Sequence, residues 1–249
     1  MNIPGLMMAA LAVSLYATVI YGAYLAAKAP KGERPMLLLL FVSQLPMSMA
    51  AFVALRGPLD AAVRAVLAPE HWLYPWVTLL YAPLTEEPLK LWPLLLPFVA
   101  KGITRDNLGR AARALGVGFG VGEALWVAHL VLQDPRVRPL PWHVFVPFMR
   151  ERFQVALIHA LLVALTLHGV TAEPRRVGRW LAAAMGAHLA LNAPVLLAAK
   201  GWLGDRAEAQ SLLTMWVSLW WVAALVMLPR METPPAAPKD GERSAQGWV

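Results

Sequence analysis

The chain has 249 residues, 59% of them hydrophobic and 15% charged, with a formal net charge of +7 and no cysteine. Soluble domains average about 45–50% apolar and about 25% charged residues, so this composition argues against a soluble domain, and the missing cysteines exclude disulfides, thiol nucleophiles and thiolate metal sites. The apolar residues form continuous blocks rather than a period-two alternation, which argues against a transmembrane barrel. The basic residues sit in short loops, where positive-inside topology accounts for them without a nucleic-acid partner.

The pattern predicts an all-α, multi-pass transmembrane helical bundle of about seven helices. They are placed at about 5–27, 36–55, 72–99, 109–132, 152–171, 178–199 and 209–229. Each is long enough to cross a hydrocarbon core of ~30 Å at ~1.5 Å per residue. Residues 1–229 are read as one integral membrane domain. The first span lacks a preceding positive charge and exceeds the ~7–15 apolar residues of a signal peptide, so it is read as a retained helix. The third carries Pro75, Pro83, Pro88, Pro93 and Pro97, each of which removes a backbone donor and crowds the preceding turn. Such breaks survive at membrane depth only when buried in protein or lining a wet cavity.

Within the long loop 133–151, the stretch from Pro141 to Met149 carries Trp142 and suits the membrane interface. The tail, 230–249, is proline-rich and polar and is expected to be disordered and cytoplasmic. Lys28, Lys31, Arg34, Lys101, Arg105, Arg110, Arg113, Arg175, Arg176 and Arg179 concentrate on one side with that tail, while Arg56, Arg64, Arg136, Arg138, Arg150, Arg152, Lys200 and Arg206 are assigned to the other. The bias predicts a cell-membrane protein with its N-terminus outside and its C-terminus cytoplasmic.

The third span also holds Glu86, Glu87 and Lys90 between Trp72–Leu80 and Leu91–Ala100. An ionisable group at mid-membrane costs at least about 2.5–3.5 kcal/mol and marks a functional site by default. The fourth span holds Glu123 among Gly116, Gly118, Gly120 and Gly122, two small-xxx-small pairs suited to close helix packing. The fifth holds His159. The sixth holds His188 and Asn192, four residues apart and so on one helix face. Four consecutive spans thus place a Glu, His or Asn near mid-depth, whereas spans one, two and seven place no ionisable residue there. His71, His129, His143 and His168 fall at span ends, in a loop or on another face. A shared level is what one buried polar site between spans three and six requires. Such a site either holds a divalent metal whose bound water attacks a carbonyl, or uses a carboxylate and a histidine to activate water directly. Lys90 lies one turn after Glu86; a pair between them would leave Glu87 as the better general base.

The order Glu86-Glu87-x-x-Lys90, Phe119-x-x-x-Glu123, His159, His188-x-x-x-Asn192 resembles the PrsW-type intramembrane proteases, a superfamily with the CAAX prenyl proteases and bacteriocin-processing enzymes. The resemblance covers about residues 80–195. It implies an intramembrane endopeptidase in which Glu86 or Glu87 activates water. Glu123, His159 and His188 would hold a divalent metal, zinc first, or the histidines and Asn192 would stabilise the oxyanion. The substrate implied is a membrane-anchored or membrane-adjacent polypeptide in the lipid bilayer. Ala124 stands after Glu123 where that family usually has Asn and the CAAX branch His, which argues against a prenyl-protein substrate. The alternative is a non-proteolytic membrane protein, either a proton- or metal-coupled transporter or a protease-like scaffold, whose carboxylates would relay protons.

Overall fold

The computed structural model describes residues 3–231, and every regular element among them is helical. Six helical stretches are long and apolar enough to cross a membrane, making this a multi-pass helical bundle: Gly5–Lys28, Lys31–Arg64, Leu108–Val131, Trp142–Ala172, Pro174–Ala199 and Arg206–Arg230. They contain α1 (Gly5–Lys28), α2 (Arg34–Gln44), α3 (Met47–Ala50), α4 (Gly57–Arg64), α8 (Leu108–Val131), α9 (Val146–Ala172), α10 (Val177–Ala199) and α11 (Arg206–Arg230). The expected tail lies, beyond Met231, outside the described residues.

The predicted span 72–99 is not one helix. It divides into α5 (Tyr74–Leu79), α6 (Tyr81–Lys90), a 3-10 turn at Trp92–Leu95 and α7 (Pro97–Gly102). Prolines set most of the joints. Pro75, Pro93 and Pro97 sit in the first turn of the pieces they open, where the missing N–H is not needed. Leu96 adopts φ −85°, ψ 118°, as a residue preceding proline is steered to do. Pro88 lies inside α6 without ending it. The ionisable triplet therefore stands on a ten-residue helix whose neighbours can be set independently.

The second span is interrupted too. A π-helical turn at Ala51–Arg56 joins α3 to α4, with the Gly57 N–H reaching back to the Phe52 carbonyl. Such turns insert one residue into the helix and recur at functional sites.

α8 is the axis, packed against α9, α1 and α2. Its residues from Leu108 to Gly122 are all buried. The glycine pairs behave as their spacing predicts, one on each face. A methyl group at Gly116 or Gly120 would collide with the α9 backbone at Ala160 or Ala156, and one at Gly118 or Gly122 with the α2-side carbonyls of Phe41 or Leu45. Because backbone rather than movable side chain stands in the way, Gly118→Val is expected to lower stability by about 3 kcal/mol, the upper end for overpacking. Thermal unfolding in detergent reads this; an unchanged midpoint would mean that α2 does not rest on α8 there.

Candidate active site

α6 lies between α3, the π-turn and α10, and touches α8 and α9. Gln44, fully buried at the end of α2, donates through Nε2 to the Lys90 carbonyl at 3.1 Å and fixes the far end of α6. The packing turns Glu86, Glu87 and Lys90 inward, each no more than 2% exposed. His159 of α9 and His188 of α10 meet them with ring centroids 5.8 Å apart.

Lys90 is the hub. Its ammonium lies 2.6 Å from Glu87 Oε1 and 2.8 Å from His159 Nδ1, and 4.6 Å from the Phe119 ring centre. The expected Lys90–Glu86 pair is the looser one, at 4.0 Å. The reason is that Glu86 takes another cation: Arg56, delivered by the π-turn, binds Glu86 Oε1 and also donates to Thr85 Oγ1 at 3.2 Å. On the other side Arg152 of α9 lies 3.2 Å from Glu123 Oε2. Sequence reading assigned Arg56 and Arg152 to loops and so missed them. The signal available was charge: Glu86, Glu87 and Glu123 against Lys90 alone leave two buried negative charges unmatched.

The contacts fix where the protons lie. An ammonium can only donate, so His159 Nδ1 accepts from Lys90 and the ring proton is on Nε2, which donates to Glu123 Oε2 at 3.0 Å. A carboxylate can only accept, so the 2.5 Å contact of His188 with Glu87 Oε1 is a donation from Nδ1. In the neutral ring this leaves a lone pair on His188 Nε2. That nitrogen lies 3.8 Å from Glu86 Oε2, a buried oxygen with no hydrogen-bond partner among the described residues. Two acceptors thus face each other in the core. A group that satisfies both either donates twice, as water does, or is a cation.

Glu87 is engaged by Lys90 and His188, whereas Glu86 keeps one oxygen without a hydrogen-bond partner among the described residues.

Arg56, Glu123 and Arg152 side chains keep 13–14% exposure, against 0–1% for Lys90 and Glu86. All three lie toward the end of the bundle where α1 begins. Two donor atoms near this end are buried without a hydrogen-bond partner among the described residues, Arg152 Nε and Trp126 Nε1, and Trp126 follows Glu123 by one helical turn. Asn192 lies one turn beyond His188, partly exposed and without a hydrogen bond to the cluster. His71, His129, His143 and His168 stand apart, each against a tryptophan ring.

Two groups place potential metal-ligand atoms within 4.8 Å of one another: Glu86, Glu123 and His159, and Glu86, Glu87 and His188. The expected set Glu123, His159 and His188 is neither of these. By distance both groups suit a divalent ion; the cations beside them, and in the first group the proton on His159 Nε2, oppose one. Arg56, Lys90 and Arg152 stand against the three carboxylates, with Arg152 shared with Glu151 at 2.6 Å, and a dication would add charge beside an ammonium in a low-dielectric interior. Coordination at His159 Nε2 would also displace the proton held there while Lys90 occupies Nδ1. No protein-family model, curated protein or solved structure matches the chain.

Proposed function

We propose that this protein is an intramembrane endopeptidase that hydrolyses a peptide bond of a membrane-anchored or membrane-adjacent polypeptide, using a glutamate- and histidine-held water and no resident metal. The observation that carries this reading is the buried pair of facing acceptors, Glu86 Oε2 and His188 Nε2. A water donating both hydrogens to them directs its lone pairs outward as a nucleophile. As it attacks the carbonyl carbon, one proton passes to Glu86 or His188 and is then delivered to the leaving nitrogen as the C–N bond breaks. The new carboxyl group then gives up the second proton of the water to the amine, so the products are a carboxylate and an ammonium group. Glu87 holds His188 in the tautomer that exposes Nε2, the service a carboxylate gives a catalytic histidine elsewhere. Arg152 Nε and Trp126 Nε1 are the free donors available to the substrate carbonyl as it becomes an oxyanion. The resemblance to PrsW-type proteases along residues 80–195 supports the same reaction class.

The test uses purified protein in proteoliposomes with a library of transmembrane peptides in heavy-oxygen water. Each new C-terminal carboxylate should carry the heavy label, because the attacking oxygen comes from solvent. Activity should persist in EDTA or a phenanthroline within about twofold, since Arg56, Lys90 and Arg152 already stand against the three carboxylates. Loss of cleavage on chelation, restored by zinc, would overturn the metal-free mechanism. Proton or metal flux without cleavage would replace the peptidase reading with the transporter.

A further inference from the structure

A second feature lies outside the polar cluster. α1, the 3-10 turn Lys31–Glu33 and α2 enclose a cavity of about 550 Å³ that reaches Val117 of α8. Its walls are apolar: Gly22 and Leu25 of α1 face Leu37, Leu38 and Phe41 of α2. The hydroxyls that border it are engaged elsewhere. Thr18 donates to the Ser14 carbonyl at 2.8 Å, and Tyr21 to the Phe153 carbonyl at 3.2 Å. The mouth is different, since Lys31 and Arg34 line it where α1 ends and α2 begins. Arg34 donates to the carbonyls of Ala26 and Ala29 at 2.8 and 3.3 Å, which leaves its charge uncompensated. Glu33 between them is taken by Arg110, with contacts of 2.8 and 2.9 Å. Lys31 has no ion-pair partner among the described residues.

We infer that this cavity is a specific site for one anionic phospholipid, with an acyl chain between α1 and α2 and the headgroup phosphate on Lys31 and Arg34. Three features fit that occupant. The position at a span end sets the cations at headgroup depth. A basic mouth on an apolar inter-helix pocket is the arrangement that selects anionic headgroups. The size suits a thin chain rather than a partner helix: a helix ~10–12 Å across rises ~5.4 Å per turn, so the cavity would take in about one turn. Gly22 supplies the hollow. Nothing lies within 4 Å of where its Cβ would be, so a side chain there begins in open space at the cavity wall.

The experiment is native mass spectrometry of the full chain, delipidated in detergent and titrated with phosphatidylglycerol or phosphatidylcholine. One phosphatidylglycerol per chain is expected to survive collisional activation, with phosphatidylcholine at least tenfold weaker. Lys31→Gln/Arg34→Gln should weaken phosphatidylglycerol about 25-fold, roughly fivefold per surface charge, and erase the headgroup preference. Gly22→Phe should reduce both lipids, with the unfolding midpoint unchanged. Equal retention of the two lipids by the native chain, or unaltered phosphatidylglycerol binding in both variants, would overturn the inference. A transmembrane peptide that displaces the lipid in a Gly22-dependent manner would overturn it too, in favour of a helical partner.

Discussion

Glu86→Gln is expected to reduce turnover by about 10²–10⁴-fold with little change in KM, the range for removing a general base. The substitution preserves shape and tests one oxygen. The glutamine carbonyl can remain on Arg56, as Glu86 Oε1 does now. The amide nitrogen then replaces Oε2, the buried atom 3.8 Å from His188 Nε2. An acceptor becomes a donor, so the site no longer presents two acceptors to one water. Glu87→Gln acts differently. Its amide oxygen can keep both donors that Glu87 Oε1 now accepts, Lys90 Nζ at 2.6 Å and His188 Nδ1 at 2.5 Å, because an amide nitrogen in that place would face the Lys90 ammonium. His188 then keeps the tautomer that exposes Nε2 and loses only the negative charge behind it. Turnover should fall in both variants, and less in Glu87→Gln, where the two facing acceptors remain. Initial rates on a cleaved peptide separate the two. Glu86→Gln turning over within tenfold of the native chain would remove Glu86 as base, whatever else the site does.

The sequence exposed the levels of this structure unevenly. Span placement rested on runs of apolar residues, a signal that depends only on composition, and six of the seven expected spans fall in helical stretches long and apolar enough to cross a membrane, the second of them interrupted. The seventh failed as a helix because proline acts on the backbone locally. Pro93 and Pro97 moved the joints to Trp92–Leu96, while Pro88 stayed within α6, a distinction that needs the packing around each turn. Convergence of Glu86, Glu87, Glu123, His159 and His188 was legible from their shared depth. Their pairing was not. Spacing allows Lys90 to reach either glutamate, at i,i+4 or i,i+3, and the choice was made by Arg56. That arginine stands at the end of an apolar run before Gly57-Pro58, where a loop is the natural reading. The π-turn, recognisable only from its backbone bonds, instead keeps it within the span and directed at Glu86. Asn192 shows the converse: sharing a face with His188 places a residue near the site without bonding it there.

Lys90→Met is expected to be the most destabilising single substitution in the cluster, by about 3–5 kcal/mol, the loss found when one partner of a buried ion pair is removed. Lys90 has no exposed surface, and its ammonium serves Glu87 Oε1 at 2.6 Å, His159 Nδ1 at 2.8 Å and the Phe119 ring. Methionine matches its straight chain and packs where the stem packs, so the penalty is electrostatic. Glu87 keeps His188 but loses its balancing charge, and His159 loses the donor that sets its tautomer. The double variant Lys90→Met/Glu87→Gln removes both charges and should recover most of the stability, because replacing a buried pair as a unit is often neutral. It should not recover cleavage, since His188 would still lack the carboxylate that exposes its Nε2. Chemical unfolding in detergent and peptide cleavage, measured on the same three proteins, therefore give opposite orderings of the double variant. If the double variant is as unstable as Lys90→Met, Lys90 is held by something other than Glu87. If it is stable and active, Glu87 does not orient the catalytic histidine, and the water must be activated by Glu86 alone.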